Sequence, residues 1–226
     1  MQLKQVFGFC LIAITSVVLC GCNGSVENGT TAERKFINLG TAPTGGAFHP
    51  VGCAAANAWH VLAQRPEVDD QRIGIVGHSY GGKWAMFASC LFEKFACAAW
   101  SDPGIVLDTR PSVNYWEPWY LGWHPRPWRK RGVPTADNPA RGLYPELLRG
   151  GRDLHELHAL MAPRPFLVSG GSEDPPSRWE ALNHSIVVND LVGAKNRVAM
   201  TNRPGHSPNG QSNNIIYNFF ENSLRA

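Results

Sequence analysis

Residues 72–81 read RIGIVGHSYG, and GKWAMFASCLFEKF follows at 82–95. Arg72 to Gly77 places Ile73, Ile75 and Val76 in a short apolar run, which predicts a strand. From Gly81 to Phe95, Trp84, Phe87, Leu91 and Phe95 recur at helical spacing, which predicts a helix. Between the two lies Gly77-His78-Ser79-Tyr80-Gly81, a G-x-S-x-G pentapeptide. A strand that turns sharply into a helix pushes the serine hydroxyl out beyond the sheet edge, and small flanking residues avoid a clash in that strained turn. The helix N-terminus then aims N–H groups at the place where negative charge would develop, the Tyr80 N–H first. Ser79 is therefore the candidate nucleophile, with the Tyr80 backbone N–H as oxyanion donor.

Working outward, strands and helices keep alternating. Ala96–Trp100, Pro165–Ser169 and Arg197–Thr201 read as strands. Asp153–Met161, stopped before Pro163, reads as a helix, as do Arg178–Leu191 and Ser212–Ser223. On the N-terminal side, Phe36–Gly40 is a strand candidate, and Val51–Gln64 has helical content that ends before Pro66. This alternation predicts an α/β domain with a mostly parallel sheet and flanking helices.

An activated serine needs a base, and the base needs an orienting acid. His206 lies in Arg203-Pro-Gly-His206, just after the strand at 197–201, at a loop tip between Gly205 and Ser207-Pro208. It is the candidate base; the other histidines have no comparable setting. For the acid, Asp174 is the first choice, in the loop Ser169-Gly-Gly-Ser-Glu-Asp174 after the strand at 165–169. Glu173 beside it, and Asp102 in the WSDPG stretch after the strand at 96–100, are the alternatives. All these groups follow strands, and catalytic loops gather at the C-terminal edge of a parallel sheet.

The chain has 226 residues, 43% hydrophobic and 17% charged, with a net charge of +3. That composition excludes a disordered chain and gives no strongly basic face for nucleic acid. Of the six cysteines, Cys53, Cys90 and Cys97 would remain after a signal and a lipidated Cys22, an odd number with no metal-like spacing; no metal site and no other cofactor is expected. Cys90 and Cys97 are expected to sit buried, on the helix and on the strand after it. Residues 110–150 interrupt the alternation with Tyr115, Trp116, Trp119, Tyr120, Trp123 and Trp128 among Arg126, Arg129, Lys130 and Arg131. This insertion reads either as a lid with aromatic faces for sugar rings or as a loop that packs its own aromatics. At the other end, Lys4 and the apolar run Val6–Leu19 read as a secretory signal. Leu19-Cys20-Gly21-Cys22 resembles a bacterial lipobox, which implies lipidation of Cys22 and anchoring to a membrane surface. The expectation is an extracytoplasmic cell-envelope lipoprotein of the periplasm or outer membrane. Its signal would span 1–22 and its linker 23–35.

Three stretches together resemble the esterase branch of the α/β-hydrolase superfamily: RPEVDDQRIGIVGHSYGGKWAMFAS, HELHALMAPRPFLVSGGSED and NRVAMTNRPGHSP. The similarity runs over about residues 59–226 and is nearest to dienelactone-hydrolase-like, acetyl-xylan-esterase-like and glucuronoyl-esterase-like groups. The chain departs from glucuronoyl esterases at the elbow, where they typically have Cys-Ser-Arg and this chain has His78-Ser79-Tyr80. The resemblance implies hydrolysis of a carboxylic ester, on a small molecule or a carbohydrate (uronate esters included), through an acyl-serine intermediate. A full hydrolase sheet has more strands than the four counted from Arg72 onward, and its second oxyanion donor comes from the loop after the third strand. The expected sheet is thus an incomplete hydrolase-like one with an aromatic-rich insertion. Residues 36–58, FINLGTAPTGGAFHPVGCAAANA, resemble instead the start of a TAXI-type solute receptor of TRAP transporters. If this segment forms a right-handed crossover onto the elbow strand, its loop Thr41–Gly46 would reach the catalytic edge. The competing expectation is a non-catalytic binding protein or a truncated, chimeric and inactive hydrolase.

Overall fold

Four strands form one sheet in which every neighbouring pair is parallel: β1 (Gly74–His78), β2 (Cys97–Ser101), β3 (Phe166–Gly170) and β4 (Val198–Asn202), in that spatial order. The computed structural model describes residues 48–107, 135–139, 147 and 149–225. The expected signal, linker, first strand and Thr41–Gly46 loop lie outside the described residues, as does most of the 110–150 insertion.

Each predicted strand after Arg72 is present, moved by one or two residues toward the C-terminus. β2 and β3 are buried at every position, whereas β1 alternates and β4 is partly exposed. This is what a parallel sheet covered on both faces requires of its inner strands, and CAAWS and FLVSG supply small or apolar side chains throughout.

Helices cover the two faces. α1 (Phe48–Ala63) and α2 (Tyr80–Leu91) pack together, with α3 (His155–His158) nearby. Trp59, Ile75, Trp84, Ala98, Trp100, Phe166 and Val168 form the core beneath them. α4 (Asn183–Leu191) follows a 3-10 stretch, Pro176–Leu182, and α5 (Gly210–Ser223) closes the other face through Ile216 and Phe220 on Cys97, Ala99 and Leu167. The strand period of two sends Trp100 and Ala99 to opposite clusters.

Helix lengths depart from expectation where packing overrides periodicity. α2 ends at Leu91 because Phe92 turns to an extended conformation and sets its ring edge-on to Trp59 (5.8 Å) and Phe95 (5.7 Å). Leu91, expected on the apolar face, is 68% exposed, while Phe95 is buried from beyond the helix. The expected helix at 153–161 is one α turn followed by a 3-10 turn. Cys90 and Cys97 are free thiols and buried as expected; burial pushes the Cys97 thiol up to about 12. Among the described residues, no helix is long and apolar enough to cross a membrane.

Candidate active site

The elbow takes the strained form its sequence demands. Ser79 has φ 57° and ψ −120°, a left-handed backbone on a residue with a side chain. It sits between β1 and the first residue of α2, Tyr80. A Cβ at Gly77 would fall 2.0 Å from the Gly81 carbonyl oxygen, so the tight turn excludes any side chain there. Ser79 N–H donates to Ser101 O at 2.8 Å, which ties the elbow to the end of β2.

His206 reaches the serine from the loop after β4: its Nε2 lies 2.8 Å from Ser79 Oγ. Its Nδ1 lies 2.7 Å from Asp102 Oδ2. A carboxylate only accepts, so Nδ1 carries the proton and Nε2 is left to accept from the serine hydroxyl. Ser79 and His206 are half-buried and face solvent, whereas Asp102 is 1% exposed. This arrangement can draw a proton off Ser79 Oγ and hold the imidazolium that results.

The acid in contact with His206 is therefore Asp102, the alternative, and not Asp174. Asp102 too has a left-handed backbone, φ 49°, at the end of β2. Its Oδ1 accepts from Gly171 N–H (2.7 Å) and Asp174 N–H (2.8 Å), and its Oδ2 from Glu173 N–H (3.2 Å). The loop after β3 thus serves Asp102 through its main chain. Glu173 contributes its amide here. A Cβ at Gly171 would come 2.6 Å from Asp102 Oδ2 and 2.4 Å from Gly205 O, so the glycine makes room for the acid.

Asp174 turns inward instead. Its two oxygens accept from Gly104 N–H and Ile105 N–H, each at 2.7 Å, and it is fully buried. The two aspartates therefore clasp each other's loops. Burial pushes the Asp174 carboxyl up to about 6, against the pull of those amides and the Lys83 ammonium. Lys83, buried on α2, donates to Gly104 O, and burial lowers its ammonium to about 8.

Two further residues border the imidazole without having stood out in the sequence. The His78 ring lies 4.7 Å from that of His206, with its Nδ1 3.1 Å from Ser101 O. Burial, and then the neighbouring His206, push its imidazole down. Arg203 donates to main-chain oxygens of the His206 loop and of β3. The one sequence signal for it is a lone arginine at a strand end, three residues before the histidine. Among the described residues, no group of three or more metal-ligating side chains occurs.

A profile of the prolyl oligopeptidase family matches residues 55–177, more than half of the chain. The chain belongs to the prolyl oligopeptidase family. No curated protein matches it. Among solved structures, this family member is similar to a glucuronoyl esterase from Solibacter usitatus, with TM-score 0.61 and 20% identity over 82% of this chain and 51% of that one. A glucuronoyl esterase catalytic domain from Hypocrea jecorina gives TM-score 0.60 and 16% identity over 79% and 52%. A glucuronoyl esterase mutant from Sporotrichum thermophile, in complex with methyl 4-O-methyl-beta-D-glucopyranuronate, gives 0.54 and 15% over 78% and 50%. At these identities the likeness is one of fold, and it makes the sheet and its helices α/β-hydrolase-like. The chain spans about half the length of these structures.

Proposed function

We propose that this member of the prolyl oligopeptidase family is a serine hydrolase of carboxylic esters. The observation that carries the reading is the unbroken series of hydrogen bonds from Ser79 Oγ through the His206 ring to Asp102. In the proposed reaction, Ser79 Oγ attacks the ester carbonyl carbon as His206 Nε2 takes its proton. The tetrahedral oxyanion meets the N–H of Tyr80, the residue after the nucleophile. The C–O bond to the alcohol breaks, and His206 returns the proton to the departing oxygen. Water then attacks the acyl-serine by the same proton path and frees the acid and Ser79. Asp102 stays ionised and holds the imidazole's orientation throughout.

The substrate class we propose is a carbohydrate-linked ester, acyl or uronate. It is supported by the aromatic-rich stretch at 115–128 and by the fold neighbours, which are glucuronoyl esterases, one of them in complex with a methyl glucuronate. The leader-like segment ending at Cys22 supports an extracytoplasmic setting with a lipid anchor. The family's name favours a second reading, peptide-bond cleavage, which uses the same triad.

The deciding experiment follows p-nitrophenyl acetate, methyl glucuronate and a prolyl peptide substrate with wild type and Ser79→Ala. The proposal expects ester turnover and fluorophosphonate labelling in wild type, with turnover reduced by about 10⁶-fold in the variant. Equal inactivity of the two proteins toward both esters overturns it; turnover of the peptide alone transfers the site to the second reading.

A further inference from the structure

Arg203 bridges several segments at the C-terminal edge of the sheet. It leaves the end of β4 just beyond Asn202, and is 7% exposed. Its Nη1 donates to Ser169 O (2.8 Å), Ser169 Oγ (3.2 Å) and Gly170 O (3.3 Å), at the end of β3. Its Nη2 donates to Ser101 Oγ (3.2 Å) at the end of β2, and to His206 O. Its Nε donates to Ser207 O (2.9 Å) and to His206 O (3.2 Å). Burying a guanidinium is costly unless its N–H groups all find acceptors. Here they find carbonyl and hydroxyl oxygens on two strands and one loop.

We propose that Arg203 is a positioning residue for His206, its planar fork pinning the main chain of the His206 loop to the ends of β2 and β3. This rests on the triad reading given above. Two of the oxygens it holds are those of His206 and Ser207 themselves, so a shift of the guanidinium moves the peptide that carries the imidazole. A third acceptor, Ser101 Oγ, lies 3.2 Å from His78 Nδ1, and the His78 ring lies 4.7 Å from that of His206, tilted by 44°. The imidazole is thus held at one edge by Asp102, bordered by the tilted ring of His78, and held through its backbone by Arg203. A lysine at 203 keeps the positive charge but has neither the plane nor the reach to serve three segments at once. The role belongs to the fork and not to the charge.

The test compares Arg203→Lys and Arg203→Met with wild type in three measurements: thermal melting, kcat and KM on p-nitrophenyl acetate, and the far-downfield proton NMR resonance of His206 Nδ1–H, assigned by its loss in His206→Gln. In variants that melt cooperatively, kcat is expected to fall about a hundredfold with KM unchanged, and the resonance to broaden or vanish. Lysine is expected to rescue neither. A resonance and kcat that survive in Arg203→Met overturn the proposal, and so does full rescue by lysine. If both variants fail to fold, Ser101→Ala removes one acceptor without touching the guanidinium. A lower kcat at unchanged KM with a weakened resonance then supports the proposal; wild-type values overturn it. If the wild type neither turns over ester nor takes fluorophosphonate, the functional reading fails. The resonance still decides the role of Arg203, by its loss or its persistence in Arg203→Lys.

Discussion

Asp102 and Asp174 differ by nothing that a sequence records: each follows a buried strand by a few residues, in a turn-rich stretch with a glycine nearby. What separates them is which loop faces His206 in space. Asp102 takes a left-handed backbone that swings its carboxylate toward the imidazole, while Asp174 points down to the amides of Gly104 and Ile105. Ser79 and His206 each carry a local signature, the elbow pentapeptide and the loop tip, and the structure brings them within hydrogen-bond reach; which carboxylate meets the imidazole is a tertiary fact. Distinct outcomes follow for the two asparagine variants. Asp102→Asn is expected to lower kcat by about 10⁴-fold in the molecules that remain folded, since an amide no longer fixes the reactive tautomer. Asp174→Asn leaves one buried amide facing an NH2 group, and should instead cost about 1–3 kcal/mol of stability, read by denaturant unfolding. A reversal of the two phenotypes would return the acid's role to Asp174. Gly171→Ala adds a third case: its Cβ intrudes on Asp102 and on Gly205 O, so kcat should fall through displacement of the acid.

At the scale of elements, the four strands after Arg72 lie within one or two residues of their sequence-based bounds, and β2 and β3 carry the continuous small or apolar runs that mark buried parallel strands. The helices depart further: the Phe92 turn and the broken helix at 153–161 answer to neighbours far away in sequence. α3 shows what such packing can require of a side chain. His158 is fully buried beside the stacked rings of Trp100 and Phe166, and neither ring nitrogen finds a partner among the described residues. Burial, followed by the charge of Lys83, pushes its imidazole down to about 3. The unfolded chain therefore binds this proton near pH 6.5 and the folded one only near pH 3. The His158 contribution to stability is complete above about pH 6.5 and is lost as pH falls through that window. Asp174 acts in the opposite sense: its folded value near 6 lies above the unfolded one, so its contribution is present below about pH 4 and fades as pH rises through 6. His158→Met should flatten the acid side of a plot of melting temperature against pH, and Asp174→Asn should steepen it. Parallel plots for His158→Met and wild type would show that the imidazole gains no proton on unfolding.

The molecule as a whole closes its two sheet faces unequally. One face carries the large cluster under α1, α2 and α3, while the other is closed by α5 through a small cluster of five buried residues. Phe220 is central to the smaller one, and its ring fills the space a side chain at Gly74 would need, with Phe220 Cε1 2.5 Å from that position. The same helix begins four residues after His206 and is capped there by the reciprocal Asn209–Ser212 bonds, so loss of its packing lies close to the site in the chain. Phe220→Ala is expected to cost about 3–5 kcal/mol, at roughly 2–4 °C of melting temperature per kcal/mol for a domain of this size. The fluorophosphonate labelling rate of the molecules still folded should nevertheless be unchanged, because Arg203 ties the His206 loop to β2 and β3 and not to α5. Labelling of Phe220→Ala well below its melting temperature separates the two possibilities. A rate equal to wild type places the hold on His206 in the strand ends. A rate that falls while the protein remains folded places it in the closing helix and removes the independence of the two halves of the structure.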